Sequence, residues 1–382
     1  MKKIAIFSLL SISNFGEQFI ADCVKYLVDR NDSCESEVYQ LEGSINAFIF
    51  FIYSFLIELS KIFNGSVLGD KFKLLSLRIR NAKHYERCLE NADAVIIGAG
   101  SYKYSTQKLW ADYSILVETA SKKGLPVMFN SMNIQKYNSK SWKCKYLAKH
   151  TNYPNVRMFT TRDMDEGIRK LREDYQIGDH VDCCIAADPA FWIPECYGVK
   201  RDRDNGIIGI NVLNGKNFRS YGGSLSSDKV IDFYCELLHE LDKRQLKWEL
   251  FTNGMRKDYQ CGEKILQKYG KPSIQIKVPK TAADAVKLVS SYKAVLGARL
   301  HVCICAYAMD VPFTGLSWDE KFVHFAEMAK IEDLFYSEKE LDPKRIADKL
   351  SLIAEQGYSY DVENRNYWKQ KTAFYLNQYI DS

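Results

Sequence analysis

The chain has 382 residues, of which 46% are hydrophobic and 26% charged, with a formal net charge of +5. At ~100–200 residues per domain that length predicts two domains, with ample apolar material for two cores. The balance is that of a soluble globular protein, and the mild positive charge suits an anionic small substrate or an anionic membrane surface while giving no case for a nucleic-acid partner. Eleven cysteines are scattered with no CxxC pair and no Cys/His cluster at zinc spacing. They read as free thiols in a reducing cytoplasm, and no metal site is expected.

The N-terminus, MKKIAIFSLLSISNFGEQF, imitates a signal peptide. Its apolar run is short, however, no small-x-small cleavage site follows, and the next feature is a turn carrying Asn14 and Gly16. A buried strand, Lys3–Leu9, leading into a helix explains it better, and a cytoplasmic protein is expected. Further strand-like runs follow at Ala94–Ile97, Pro126–Asn130, Arg157–Thr160 and Val181–Ala186, each ending in glycine or polar residues. Most run on into a helical pattern. That alternation predicts βα units on a parallel sheet, which binds ligands at the carboxyl ends of its strands.

The segment Ile45–Leu59, INAFIFFIYSFLIEL, breaks the rhythm. It is shorter than the ~20 residues a spanning helix needs. Two readings stand: a helix packed in the protein, or a peripheral contact with the inner membrane, with Lys61, Lys71, Lys73, Arg78, Arg80 and Lys83 toward anionic headgroups.

Lys200–Gly206, KRDRDNG, is a charged break that reads as a domain linker. A second series follows: strands at Gly206–Val212, Lys247–Thr252, Ile274–Val278, Ala294–Gly297 and Pro312–Gly315, and helices at Asp228–Arg244, Thr281–Ser291 and Leu300–Met309, with Thr281 as an N-cap. The expected architecture is α/β: two doubly wound Rossmann-like domains facing a cleft, as in two-domain glycosyltransferases of the B type. The N-terminal domain, on the acceptor side, spans 1–199 and the C-terminal domain 206–355. A C-terminal helix over 356–382 is expected to return to the first domain.

Candidate site residues lie at strand ends. In Gly98–Ser105, GAGSYKYS, the residues Gly98, Gly100 and Ser101 either bind an anion through backbone N–H groups or simply make a tight turn. Asn14, Gly16 and Glu17 hold the equivalent place after the first strand, where Asn14 either caps the helix or touches substrate. Arg162, after the Arg157–Thr160 strand, suits a carboxylate or phosphate, or pairs with Asp163 or Asp165. In GARLH, Arg299 and His301 flank Leu300 at the start of a helix. If the backbone there is still extended, both point into one cleft, and positive charge with a helix N-terminus favours neutral imidazole. Ser317–Lys321 then brings back more polar groups.

At these residues the chain resembles the polysaccharide pyruvyl transferase family. The carrying stretch is GARLHVCICAYAMDVPFTGLSWDEKF, with Arg299-Leu300-His301, Pro312 and Trp318-Asp319-Glu320-Lys321. Asn14-Phe15-Gly16-Glu17 resembles the family's Asn-x-Gly-Asp with Glu17 for Asp. Gly98-Ala99-Gly100-Ser101 resembles its Gly-Gly-Gly-Ser with Ala99 as the departure. Arg162-Asp163 and Asp188-Pro189-Ala190-Phe191 match two further motifs. The resemblance implies transfer of the enolpyruvyl group of phosphoenolpyruvate onto a sugar of a bacterial surface polysaccharide, such as an exopolysaccharide or capsule, or its lipid-linked precursor. It implies His301 as the catalytic residue, with Arg162, Arg299, Leu300 and Lys321 on phosphoenolpyruvate, and Asn14, Gly16, Glu17, Gly98, Gly100 and Ser101 as weaker contacts. No cofactor beyond the donor is required. A nucleotide-sugar-dependent glycosyltransferase and a non-catalytic, anion-binding assembly partner remain as alternatives.

Overall fold

The computed structural model of the chain describes all residues except 11–13, 45–46, 99, 106–107, 202–203 and 217–224. It divides into two compact units. One comprises Met1–Leu10, Ile20–Asp188 and Gln370–Ser382; the other comprises Ser11–Phe19 and Pro189–Lys369. The division falls between Asp188 and Pro189 rather than at the charged break, of which residues 202–203 lie outside the described residues. The physical reason is aromatic: Phe191 is buried, with its ring 5.2 Å from that of Tyr307 and 6.0 Å from that of Phe325.

The first unit is built on seven parallel strands: β1 (Lys2–Ser8), β2 (Cys34–Gln40), β3 (Ala94–Ile97), β4 (Ser101–Tyr102), β5 (Val127–Ile134), β6 (Val156–Thr161) and β7 (Asp182–Ile185). Their order is β2-β1-β3-β5-β6-β7, with β4 paired to β5. Its helices are α1 (Phe15–Asp29), whose first turn clusters with the other unit, α2 (Ala47–Ile62), α3 (Val67–Cys88), α4 (Leu109–Lys122), α5 (Trp142–Thr151) and α6 (Met164–Arg169). Apolar runs that alternate with helices are buried on both faces, as β1 and β3 are. The core stacks Phe129 on Phe159 at 5.0 Å, with Tyr102 edge-on to both.

Strand β5 runs past Asn130, where the apolar run ends, through Ser131, Asn133 and Ile134. It does so across an irregularity at Ser131, a non-glycine residue at φ 49°. The Ser131 N–H donates to Thr160 Oγ1 at 2.7 Å and its hydroxyl to the Ala187 carbonyl at 2.8 Å, so polar partners replace the interrupted ladder.

Helix α2 is not a buried helix. Leu56 is buried, but Phe50, Phe51 and Phe55 are exposed. Among the described residues no helix is long and apolar enough to cross a membrane.

The second unit holds five parallel strands: β8 (Ile208–Asn211), β9 (Trp248–Phe251), β10 (Ala294–Gly297), β11 (Phe313–Ser317) and β12 (Phe335–Ser337), in the order β12-β11-β10-β8-β9. Its helices are α7 (Ile193–Tyr197), α8 (Ser227–Lys243), α9 (Arg256–Tyr269), α10 (Ala282–Ser291), α11 (Leu300–Ala308), α12 (Glu320–Ala329) and α13 (Pro343–Gln356). Thr281 caps α10 in a reciprocal box with Asp284. The expected strand at Ile274–Val278 does not form: a single bridge joins Lys277 to Phe251. The last helix, α14 (Val362–Asp381), leaves the second unit at Lys369. In the first unit its Tyr379 hydroxyl donates to the Val95 and Pro126 carbonyls, each at 2.8 Å.

Candidate active site

In each sheet the strand order reverses beside the first strand, between β1 and β3 and between β8 and β10. Such switch points leave a crevice at the carboxyl ends of the strands. In the second unit the strands that end there carry Asn211 and Gly297. Buried Asn211 accepts from the Ala298 N–H at 3.2 Å and so ties the two strand ends together. Gly297 is required by crowding, because a Cβ there would stand 2.4 Å from Cys303 Sγ.

Arg299 follows with extended backbone (φ −119°, ψ 133°) at the N-cap of α11. Its Nε and Nη2 both donate to Asp258 Oδ2, at 3.0 and 2.5 Å. Asp258 is fully buried, and its other oxygen accepts from the Asn214 N–H at 3.0 Å and the Asn214 Nδ2 at 2.6 Å. A buried carboxylate with donors on both oxygens is a stable anchor, and it fixes the guanidinium in one orientation. Leu300 is buried as the first residue of α11, and His301 is half-buried as the second. His301 therefore sits in the first helical turn, not on extended backbone.

The loop after β1 joins this unit. Asn14 Oδ1 accepts from the Gly16 N–H at 3.3 Å and from Asn253 Nδ2 at 3.1 Å, Asn253 lying just beyond β9. Gly16 is buried directly against the imidazole: a Cβ there would lie 2.4 Å from His301 Nδ1 and 2.7 Å from its Cγ. Glu17 is half-buried. Burial pushes its carboxyl up to about 7, against the opposing pull of the Lys321 charge and the Asn14 side-chain hydrogen bond. Lys321 lies in the first turn of α12, whose N-cap Asp319 accepts from the Lys321 N–H at 3.3 Å, and its ammonium is 3.7 Å from Asp319 Oδ2. Trp318 Nε1 donates to the Ala298 carbonyl at 2.8 Å and holds that turn to the arginine segment. The second unit thus gathers Asn14, Gly16, Glu17, Arg299, Leu300, His301 and Lys321: two cations, an imidazole and a carboxyl that titrates near neutrality.

The remaining predicted residues lie in the first unit. Arg162, just past β6, donates through Nη1 to buried Asp188. The Asp163 carboxylate is engaged by Asn133 Nδ2 at 2.8 Å and the Ile134 N–H at 2.6 Å, across the irregular part of β5. Gly98 is at the β1/β3 switch point and donates to the Phe7 carbonyl at 2.8 Å. The Gly100 carbonyl accepts from the Asn133 N–H at 3.1 Å, and Ser101 begins β4 opposite Asn133. Ala99 lies outside the described residues. These two backbone groups bond to the sheet.

Asp258, Asn214, Asn253 and Asn211 were not anticipated. The asparagines follow or end β8 and β9, the carboxyl ends where ligand-side residues belong, and that position was an available signal. Asp258 had none, since an acid in the first turn of a helix is ordinary.

Two Rossmann-like α/β units, each a parallel sheet with a switch point beside its first strand, make a glycosyltransferase-B-like fold. The chain belongs to the polysaccharide pyruvyl transferase family, whose model matches residues 14–320. No curated protein matches the sequence. Among solved structures the chain is similar to UDP-GlcNAc 2-epimerase from Neisseria meningitidis bound to UDP-GlcNAc, at 11% identity over 100% of both chains with a TM-score of 0.58. It is also similar to S. aureus MnaA with UDP, at 12% identity over 99% of this chain and 97% of that one (TM-score 0.57). UDP-GlcNAc 2-epimerase from Methanocaldococcus jannaschii matches at 10% identity over 94% and 95%, with a TM-score of 0.57. At such identities the likeness shows the fold alone.

Proposed function

We propose that this pyruvyl transferase moves the enolpyruvyl unit of phosphoenolpyruvate onto a sugar of a bacterial surface polysaccharide or its lipid-linked precursor, in the cytoplasm. A proton adds to the methylene carbon, making C2 an oxocarbenium-like electrophile. One sugar hydroxyl adds to C2 and loses its proton, phosphate leaves with the C2–O bond pair, and a second hydroxyl adds to C2 and loses its proton to close the cyclic ketal. The donor carries a phosphate and a carboxylate, and no separate cofactor is needed.

The observation that carries this reading is the pairing of an anchored cation with proton-transfer groups. Asp258 fixes Arg299 two residues before His301, and Gly16 packs on that imidazole. Arg299 and Lys321 are assigned to the donor's anionic groups, the Leu300 backbone to the same ligand, and Arg162 of the first unit to anion binding through the family motif. His301 is assigned to proton transfer, and Glu17 supplies a second titrating group. Asn14 and Gly16 position these groups. Gly98, Gly100 and Ser101 are proposed on the acceptor side on the family motif alone. A lipid-linked acceptor would bring the protein to the inner face of the cell membrane.

The test is incubation of the purified full chain with phosphoenolpyruvate and a panel of nitrophenyl and lipid-linked sugars, following phosphate release and product mass. The expected product is the acceptor plus one ketal-linked pyruvyl group, lost in His301→Ala and Arg299→Ala. A product heavier by a hexose, formed from a nucleotide sugar, would overturn the assignment.

A further inference from the structure

Among the described residues, nine of the seventeen large apolar side chains left exposed fall between Phe50 and Leu75. They belong to α2, the turn after it and the start of α3. Phe51, Phe55 and Ile62, spaced i, i+4 and i+11, lie on one face of α2 and are 74%, 57% and 73% exposed. The opposite side is anchored: Leu56 is buried, and Arg80 of α3 lies over the Tyr53 ring at 5.8 Å. Phe63, Val67 and Leu68 extend the apolar surface through the turn. A soluble protein seldom leaves so many apolar side chains together in water unless something covers them.

The charges beside this face select the cover. Lys61 and Lys71 are exposed, the Lys61 ammonium lying 2.6 Å from Glu58 Oε1 one turn earlier. Lys143, at the start of α5, lies 3.4 Å from Asp70 at the start of α3. Burial, and then the charges of Lys143 and Lys108, lower the Lys73 ammonium from its ordinary range. Exposed lysines at the end of α2 and the start of α3, next in sequence to exposed apolar side chains, match the boundary between anionic headgroups and acyl chains. A second protein would gain no comparable relief of lysine repulsion unless it were itself acidic there.

We propose that the exposed face of α2, with the α2–α3 turn, is a peripheral membrane-binding surface that inserts Phe51, Phe55 and Ile62 into an anionic lipid bilayer while Lys61 and Lys71 meet its headgroups. This stands apart from the pyruvyl transfer reading, since it rests on a surface that holds none of the candidate catalytic groups.

The test is co-sedimentation of the full chain with vesicles of phosphatidylcholine alone and of phosphatidylcholine mixed with phosphatidylglycerol. Neither donor nor acceptor is present, so failure of the catalytic reading leaves the result untouched. The chain is expected to pellet with the mixed vesicles, less so as salt is raised, and to bind them at least ~10-fold more tightly than the neutral ones. Combined Phe51→Ser, Phe55→Ser and Ile62→Ser should abolish pelleting, and Lys61→Glu with Lys71→Glu should remove the preference for anionic lipid. These side chains are exposed, so the variants should keep the parent's melting transition. The proposal fails if the parent stays in the supernatant with both vesicle types, or if the triple variant pellets like the parent. It fails too if sedimentation velocity shows a dimer that the triple variant dissociates with no lipid binding, which would make this face a self-association surface.

Discussion

Gly16 and His301 touch so closely that no side chain fits between them: a methyl group on Gly16 would stand 2.4 Å from the imidazole Nδ1. The loop after the first strand is therefore a wall of the histidine's seat. Gly16→Ala must move either the ring or the loop. We expect a stability loss of about 1–3 kcal/mol from the overlap and a fall in kcat of roughly tenfold or more from the displaced imidazole. Thermal melts and steady-state phosphate release measure the two separately. Unchanged kcat in a folded variant would mean that the loop yields and the imidazole keeps its place.

Asp258 positions Arg299 and is not assigned to touch substrate. Asp258→Asn keeps the shape but removes the charge that orients the guanidinium. The expected signature is a KM for phosphoenolpyruvate raised about tenfold with kcat little changed, the pattern of lost ground-state binding. Asp258→Ala also leaves the cation without its buried partner, at a cost of about 3 kcal/mol. A variant in which kcat falls and KM holds would place Asp258 in a different role.

Glu17 should make both stability and rate depend on pH. Its folded-state value is raised from 4.5 to about 7, so between those values the folded protein binds more protons than the unfolded one. Stability therefore declines as pH rises through that window. Glu17→Gln should match the parent below pH 4.5 and exceed it above pH 7, by on the order of 3 kcal/mol. If Glu17 delivers the proton, kcat/KM of the parent falls above pH 7 and the variant loses that limb. Denaturant titrations at several pH values and a pH–rate profile check both. A variant no more stable than the parent at pH 8 would refute the raised carboxyl.

Arg162 and Asp188 form a buried ion pair in the first unit. Asp188→Ala should lose about 3–5 kcal/mol by removing this carboxylate from a buried cation. Arg162→Ala combined with Asp188→Ala should be less destabilised than Asp188→Ala alone, a coupling that a double-mutant cycle reads directly. Additive losses would mean that the two side chains are energetically independent.

Periodicity located the buried strands because both of their faces are apolar: Ala94–Ile97 and Ala294–Gly297 match residue for residue. It missed β2, whose CESEVYQ carries glutamates at alternate positions on a strand paired with β1 at the sheet's end. It stopped β5 at Asn130, because the polar Ser131 and Asn133 fit a buried strand only once Thr160, Asp163 and the Ala187 carbonyl are in place to satisfy them. The motif residues were legible because their types are chemically distinctive. Their partners were not: what holds Arg299 is an aspartate 41 residues away, brought near only by the fold. Nor does spacing reveal that a carboxyl at Glu17 is raised, since that depends on burial supplied by residues distant in sequence.

The assignment of Ser11–Phe19 to the second unit has a practical corollary for dissecting the enzyme. Excision of Pro189–Lys369 as a cassette would omit Asn14, Gly16 and Glu17 and deliver the histidine without its wall. The first unit is likewise incomplete without Gln370–Ser382. No single cut separates the chain into two intact pieces, so domain swapping between relatives must carry four junctions, at Leu10/Ser11, Phe19/Ile20, Asp188/Pro189 and Lys369/Gln370. A chimera joined only at Asp188/Pro189 would exchange the arginine and imidazole while keeping a mismatched loop against them.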